Sequence, residues 1–257
     1  MSQGNPNDMI QTFYDSMALD YDKLFQDWQA SMTTHAAFLD GAFAAAGFGR
    51  DARVLDCACG IGTQSIGLAK LGYPVTASDL SAGELAEASR RAEAHGVTVR
   101  FAQADFRTLE QVFAEQFDIV IAMDNALPHM LTAADLSRAV RSMADRVRPG
   151  GLFVASIRDY DRLVEEKPDH SAPYIHKTPQ GQRVSFQTWD WKGENYRFTQ
   201  YIIEDEGDLR ISKFDCEYRA TRRRELTQLL KAAGMAEVEW KLPAETGFYQ
   251  PVVVAKK

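Results

Sequence analysis

The chain has 257 residues, enough for one large domain or a domain carrying an insertion, and its 45% hydrophobic content supplies a sizeable core. With 29 basic against 36 acidic side chains the net charge is −7, which argues against a nucleic-acid-binding face, and no apolar stretch reaches membrane-spanning length. The three cysteines, Cys57, Cys59 and Cys216, have no metal-ligand spacing, so no metal is expected. Their odd, sparse count and the polar stretch from Met1 to Pro6, which lacks a signal-peptide core, fit a cytoplasmic protein.

Residues 8–47 have helical spacing. Phe13, Met17 and Tyr21 recur on one face, as do Leu24, Phe25 and Trp28, and a second helical stretch carries Phe38, Leu39 and Phe43. From residue 53 the pattern alternates. A strand over 54–57 leads to a helix over 62–71, and a strand over 74–78 leads to a helix over 81–95. Ser81 is the N-cap of that helix, and Glu84 completes a capping box. Strands follow over 97–102 and 117–122, then a helix over 132–147, a turn at Arg148-Pro149-Gly150-Gly151 and a strand over 152–157. Continuous apolar strands alternating with helices predict a parallel sheet covered on both faces. Residues 165–220 are polar and aromatic, and alternation over 184–189 and 196–203 predicts antiparallel strands inserted after the fifth strand. A helix over 222–233 and a strand pair over 236–242 and 248–255 return to the core. The basic run Arg222-Arg223-Arg224 opens that helix and reads as a solvated face. The implied organisation is a helical segment 1–50, a nucleoside-binding core 51–164, an antiparallel insert 165–220 and a C-terminal part of the core 221–257.

The chemistry concentrates at strand ends. Val54-Leu55-Asp56-Cys57-Ala58-Cys59-Gly60-Ile61-Gly62 is a short strand running into a glycine turn behind an acid. Gly60 and Gly62 let backbone approach a ligand, and the helix after Gly62 points free N–H groups at it. Asp79, at the end of the second strand, stands where an acid accepts bonds from ribose hydroxyls. Asp105 ends the third strand beside Phe106 and is placed to accept from an adenine amino group. Ser65 replaces the third glycine of a dinucleotide fingerprint, and Asp56 favours a cationic or amino-bearing ligand over a pyrophosphate. Both features favour S-adenosylmethionine over a nicotinamide dinucleotide.

The chain over 53–157 resembles the class I S-adenosylmethionine-dependent methyltransferases. More narrowly it is similar to the glycine and glycine/sarcosine N-methyltransferases. That likeness rests on residues 54–63, on Asp124-Asn125-Ala126-Leu127-Pro128-His129, on 148–151, on Ile157-Arg158-Asp159-Tyr160-Asp161 and on a front segment from Tyr14 to Trp28. The resemblance implies a Rossmann-like α/β fold, a mostly parallel seven-stranded sheet with helices on both faces and an N-terminal helical lid over 1–50. It implies that Asp56, Ala58, Gly60, Gly62, Asp79, Leu80, Asp105, Phe106 and Met123 hold S-adenosylmethionine, leaving S-adenosylhomocysteine as product. His129 would lie near its methionyl part, and Tyr21 and Trp28 would close over it. Asn125 and Arg158 would bind an acceptor carboxylate, with Tyr174, His176, Tyr201 and Tyr218 completing the acceptor site. Asn125, Arg158 and Tyr201 would be the catalytic set. One departure stands out: no Lys or Arg occurs from Leu24 to Gly49, where the family places an arginine against the cofactor carboxylate. Ser31, Thr34 or His35 would have to serve instead.

Each of these residues also has a plain structural reading. Arg158 could pair with Asp159 or Asp161, Asn125 could be a turn residue, and His129 could fill a turn. Tyr21 and Trp28, seven apart, could share a buried helical face, and Tyr201 could be an ordinary strand residue. The functional expectation is methyl transfer to the nitrogen of a small amino acid or amine, by a protein that binds neither nucleic acid nor membrane; the resemblance alone implies a homo-oligomer, and the sequence carries no interface signal. The alternatives are an O- or N-methyltransferase of a larger natural product, for which Trp189, Trp191 and Tyr196 would offer a ring surface, and a non-catalytic adenosyl-ligand-binding protein.

Overall fold

A computed structural model describes residues 6–257. All but the last residue of the polar start of the chain therefore lies outside the described residues. Helix α1 (Pro6–Met17) and helix α2 (Trp28–Ala45) precede the sheet and are separated by a short 3-10 turn at Tyr21–Leu24. One continuous helical face through Tyr21 and Trp28 is therefore absent. The break is set locally: Asp27 adopts extended backbone, and its side chain accepts from Ala30 N at 3.0 Å, which starts a new helix at Trp28.

The core alternates as the sequence predicts: β1 (Val54–Asp56), α3 (Thr63–Lys70), β2 (Val75–Asp79), α4 (Ala82–Ala94), β3 (Arg100–Gln103), β4 (Phe117–Ala122), α5 (Ala133–Arg146), β5 (Val147–Ser156) and α6 (Tyr160–Glu166). Strand β3 starts later than the apolar pattern implies. Gly96, at φ 65°, closes α4 through Gly96 N to Glu93 O, and Val97 N then bonds Ala92 O, so Val97 serves the helix end and the strand starts at Arg100. Ser81 caps α4 by accepting from Glu84 N at 3.0 Å. The capping box is only half formed, because both Glu84 carboxyl oxygens are buried without a partner.

After α6 come β6 (Tyr174–Thr178), β7 (Gly181–Lys192), β8 (Asn195–Asp205) and β9 (Leu209–Arg219), then α7 (Arg223–Ala232), β10 (Glu237–Lys241), the short α8 (Pro243–Thr246) and β11 (Val252–Lys256). The main sheet has the order β10-β11-β5-β4-β1-β2-β3. The β5-β4-β1-β2-β3 block is parallel, and β11 is antiparallel to both its neighbours. The order reverses at β1, so the loop after β1 opens at a switch point on the carboxyl edge, where ligands bind in such sheets. Leu55, Val120, Phe153 and Val253 pack on one face, and Val54, Ile119, Ile121 and Val154 on the other, which accounts for the continuous apolar runs. The inserted strands form a separate antiparallel sheet, β6-β7-β8-β9. Along β8, Tyr196, Phe198, Gln200 and Ile202 are buried and alternate with more exposed positions, so one face of this sheet covers the carboxyl edge.

Candidate active site

Two cavities meet at that edge. The smaller, of about 70 Å³, lies against the glycine loop, and the larger, of about 1190 Å³, lies under the inserted sheet and α2. Tyr14, Tyr21 and Asp124 line both.

The loop leaves β1 and is tied between its neighbours, with Cys57 N on Ile121 O and Cys59 N on Ser78 O. Gly60 (φ 50°) and Gly62 (φ 89°) are left-handed, and a Cβ at Gly62 would come within 2.8 Å of Ile66 Cδ1. The Asp79 carboxylate accepts from Gly60 N at 2.9 Å and from Ser81 N at 3.0 Å, one oxygen each. Each oxygen keeps a free lone pair for a ligand hydroxyl. Asp56 lies beneath the loop and is 1% exposed. It accepts from Ser65 Oγ at 2.7 Å and Ala58 N at 3.3 Å. Burial pushes its carboxyl up to about 7 against those two hydrogen bonds, and the nearby Asp79 and Asp124 charges push the same way.

Of the residues expected at the cofactor, Tyr21, Ala58, Gly60, Asp79, Leu80, Asp105, Phe106, Met123 and His129 line the smaller cavity. Three do not. Asp56 and Gly62 shape the loop from behind. The buried Trp28 indole donates to Thr63 Oγ1 at 2.9 Å and packs with Met32, Ile61 and Ile66 under the Arg91 guanidinium, so it braces the loop and does not close over the cavity. Asp105 sits on the wall, but Arg107 clasps its carboxylate through Nε and Nη2, so a pairing with adenine would have to share it. His129 bonds the Tyr14 hydroxyl through Nε2 at 2.7 Å, and burial pulls it down to about 3, so the ring is neutral. Among the described residues no Lys or Arg lines the smaller cavity. Ser31, Thr34 and His35 all line the larger one. The His35 ring nitrogen lies 3.1 Å from Gln64 Nε2, and burial lowers its affinity for a proton.

In the larger cavity Arg158 follows β5. Its side chain donates from Nη1 to the Tyr196 hydroxyl at 3.0 Å and from Nη2 to Gln187 Oε1 at 2.9 Å. The Trp189 and Tyr218 rings each lie 5.3 Å from its guanidinium carbon. Asp159 and Asp161 pair instead with Arg223. Asn125, at φ 69°, takes Arg158 N on its Oδ1 at 3.0 Å, and its Nδ2 is buried with no partner. Tyr174 and Tyr218 are also on this wall. Tyr201 is not. It is paired in register with Lys213 and stacked on Phe186, on the face opposite Tyr196, Phe198 and Gln200, as strand alternation requires. His176 is buried off the cavity with both ring nitrogens unpartnered, in register with Arg183. The residues that hold Arg158, Gln187 and Tyr196, carry no sequence signal of that role; only the alternation in β7 and β8 hints at their common face.

The donor set fits a nucleoside with a positive centre: a diol acceptor at Asp79, close-approach glycines, an acidic loop and no cation for a pyrophosphate. Residues 54–151 match a methyltransferase domain family. Residues 54–151 thus form a methyltransferase domain, and the switch-point loop with its Asp79 acceptor fits S-adenosylmethionine as the cofactor. Among its relatives, a glycine/sarcosine N-methyltransferase of Parasynechococcus marenigrum is 35% identical over 112 residues, 44% of this chain and 40% of that one. A glycine N-methyltransferase of Oryctolagus cuniculus is 27% identical, covering 77% and 74%. The S-adenosylmethionine-bound structure of CalS10, an amino pentose methyltransferase from Micromonospora echinaspora, superposes with a TM-score of 0.72 at 23% identity over 88% of this chain and 91% of that one. The chain spans less than half the length of the glycine/sarcosine N-methyltransferases it matches, 46% and 40% for two of them. Among the described residues no helix is long and apolar enough to cross a membrane.

Proposed function

We propose that the protein transfers a methyl group from S-adenosylmethionine to the nitrogen of an amine that also carries a carboxylate, glycine and sarcosine being the smallest members of that class. Arg158 carries this reading. Among the described residues it has no carboxylate partner, yet Tyr196 and Gln187 fix its fork in the cavity wall. A desolvated guanidinium without a counter-ion is a carboxylate receptor, and its planar fork sets the carboxylate's orientation. The buried, unpartnered Nδ2 of Asn125 offers a second donor beside it.

Ala58, Gly60, Asp79, Leu80, Phe106 and Met123 would hold the cofactor, with His129 in the same wall and Tyr21 at the junction of the cavities. When bound, the cofactor supplies a methyl group already activated by a sulfonium. The protein's share is placement. Arg158 and Asn125 anchor one end of the acceptor so that its nitrogen faces the smaller cavity, and the aromatic walls exclude water.

A second reading draws on the 1190 Å³ volume and on Trp189, Phe198 and Phe248 in its lining. They would also admit a larger acceptor, and CalS10 itself acts on an amino pentose. The test is to incubate the protein with methyl-labelled S-adenosylmethionine and glycine, sarcosine, phenylalanine or an amino sugar without a carboxylate. Label on nitrogen of the carboxylate-bearing amines supports the proposal. Label only on the amino sugar, or on oxygen, supports the larger-acceptor reading. Cofactor binding with no transfer to any of them leaves an adenosyl-ligand-binding protein.

A further inference from the structure

Resting on the carboxylate-bearing-amine reading, the geometry points to Asp124 as the group that recognises the acceptor's amine. Asp124 and Asn125 form the turn after β4, both at positive φ (55° and 69°). For side chains other than glycine that backbone is disfavoured. It is held by Asp124 N donating to Ser156 Oγ at 2.8 Å, and Ser156 Oγ in turn donates to Gln250 Oε1 at 2.8 Å. The strained turn sets the Asp124 carboxylate at the junction of the two cavities and the Asn125 amide against Arg158.

Both carboxylate oxygens have neutral partners. Oδ1 accepts from the Tyr249 hydroxyl and Oδ2 from Gln64 Nε2, each at 2.7 Å. Among the described residues no cation pairs with this carboxylate, and each oxygen retains acceptor capacity. The larger cavity therefore presents a negative group at the cofactor side and a positive group, Arg158, further along the same wall, neither neutralised by the protein. A zwitterion with its ammonium at Asp124 and its carboxylate at Arg158 satisfies both charges and brings its nitrogen to the junction.

The test is calorimetric binding to the full chain saturated with S-adenosylhomocysteine, which cannot react. The probes are phenylalanine with its deaminated counterpart 3-phenylpropanoate, and glycine with acetate. A charge-assisted hydrogen bond predicts that the wild type prefers the amino acid by about tenfold or more. Asp124→Asn keeps the shape, and Asn tolerates positive φ, so the fold should survive. In that variant the preference should fall to about one, with S-adenosylhomocysteine affinity within about twofold of wild type. Arg158→Gln should instead weaken both members of each pair. A preference that survives Asp124→Asn, its absence from the wild type, or a parallel loss of S-adenosylhomocysteine affinity overturns the assignment. The last result would place Asp124 on the cofactor's own ammonium. Failure of the wild type to bind either member of either pair overturns the carboxylate-bearing-amine reading itself, and this inference with it.

Discussion

Asp56→Asn should stabilise the ligand-free protein at alkaline pH and leave it unchanged in acid. The Asp56 carboxyl is buried beneath the glycine loop, and its folded-state value of about 7 stands above the ordinary 3.8. An acid whose folded-state value is raised binds its proton more tightly in the folded chain. Its contribution is therefore complete below about pH 4 and is lost as the pH climbs to about 7, after which the loss is constant. A gap of about 3 units corresponds to about 4 kcal/mol at about 1.36 kcal/mol per unit. That figure is an upper bound for the gain, since Asn can keep the Ala58 N bond but meets Ser65 Oγ with an amide. Urea unfolding of wild type and variant at intervals between about pH 4.5 and about pH 8.5 reads the difference directly. The two stabilities should differ by about 1 kcal/mol or less at the acid end and by about 2–4 kcal/mol at the alkaline end. Saturating S-adenosylmethionine, whose sulfonium favours the ionised form, should narrow the separation. Parallel curves across the range would refute the raised carboxyl and the loop electrostatics built on it.

Other substitutions separate the two cavities. Arg158→Ala should lower kcat/KM for the acceptor by about a hundredfold or more while changing the cofactor Kd by about twofold at most. A matching loss of cofactor affinity would defeat its acceptor role. Gly62→Ala should cost about 1–3 kcal/mol in thermal or urea unfolding, because the residue is left-handed and its new methyl group would meet Ile66 Cδ1 at 2.8 Å. An unchanged unfolding midpoint would contradict the loop geometry. Tyr196→Phe should reduce acceptor kcat/KM by about tenfold by freeing Arg158 Nη1, whereas Tyr201→Phe, on the opposite sheet face, should leave it unchanged. Equal effects would overturn the face assignment.

The core was legible because its strands are buried on both faces and read as unbroken apolar runs, while the glycine loop, Asp79 and Arg158 all fall at strand ends where the switch-point rule puts ligands. The inserted sheet was legible as strands but not as faces. Tyr201 lies one residue from Gln200, and a shift of one position sends a side chain to the other face. The supports of Arg158 lie 29 and 38 residues downstream, on β7 and β8, and only strand pairing brings them together. In the front segment, Asp27 as an N-cap outweighed the apolar periodicity that linked Tyr21 to Trp28. Asp124 gave no motif of its own, since its placement depends on a left-handed turn and on partners from α3 and from the loop before β11.

The acceptor's carboxylate is the point on which the account turns, and methyl transfer to an amino acid compared with transfer to its methyl ester measures it most directly. With phenylalanine or glycine as the free acid, initial rates should exceed those of the ester by about tenfold or more, and Arg158→Gln should abolish the difference. Equal rates for acid and ester in the wild type would show that Arg158 does not receive the carboxylate.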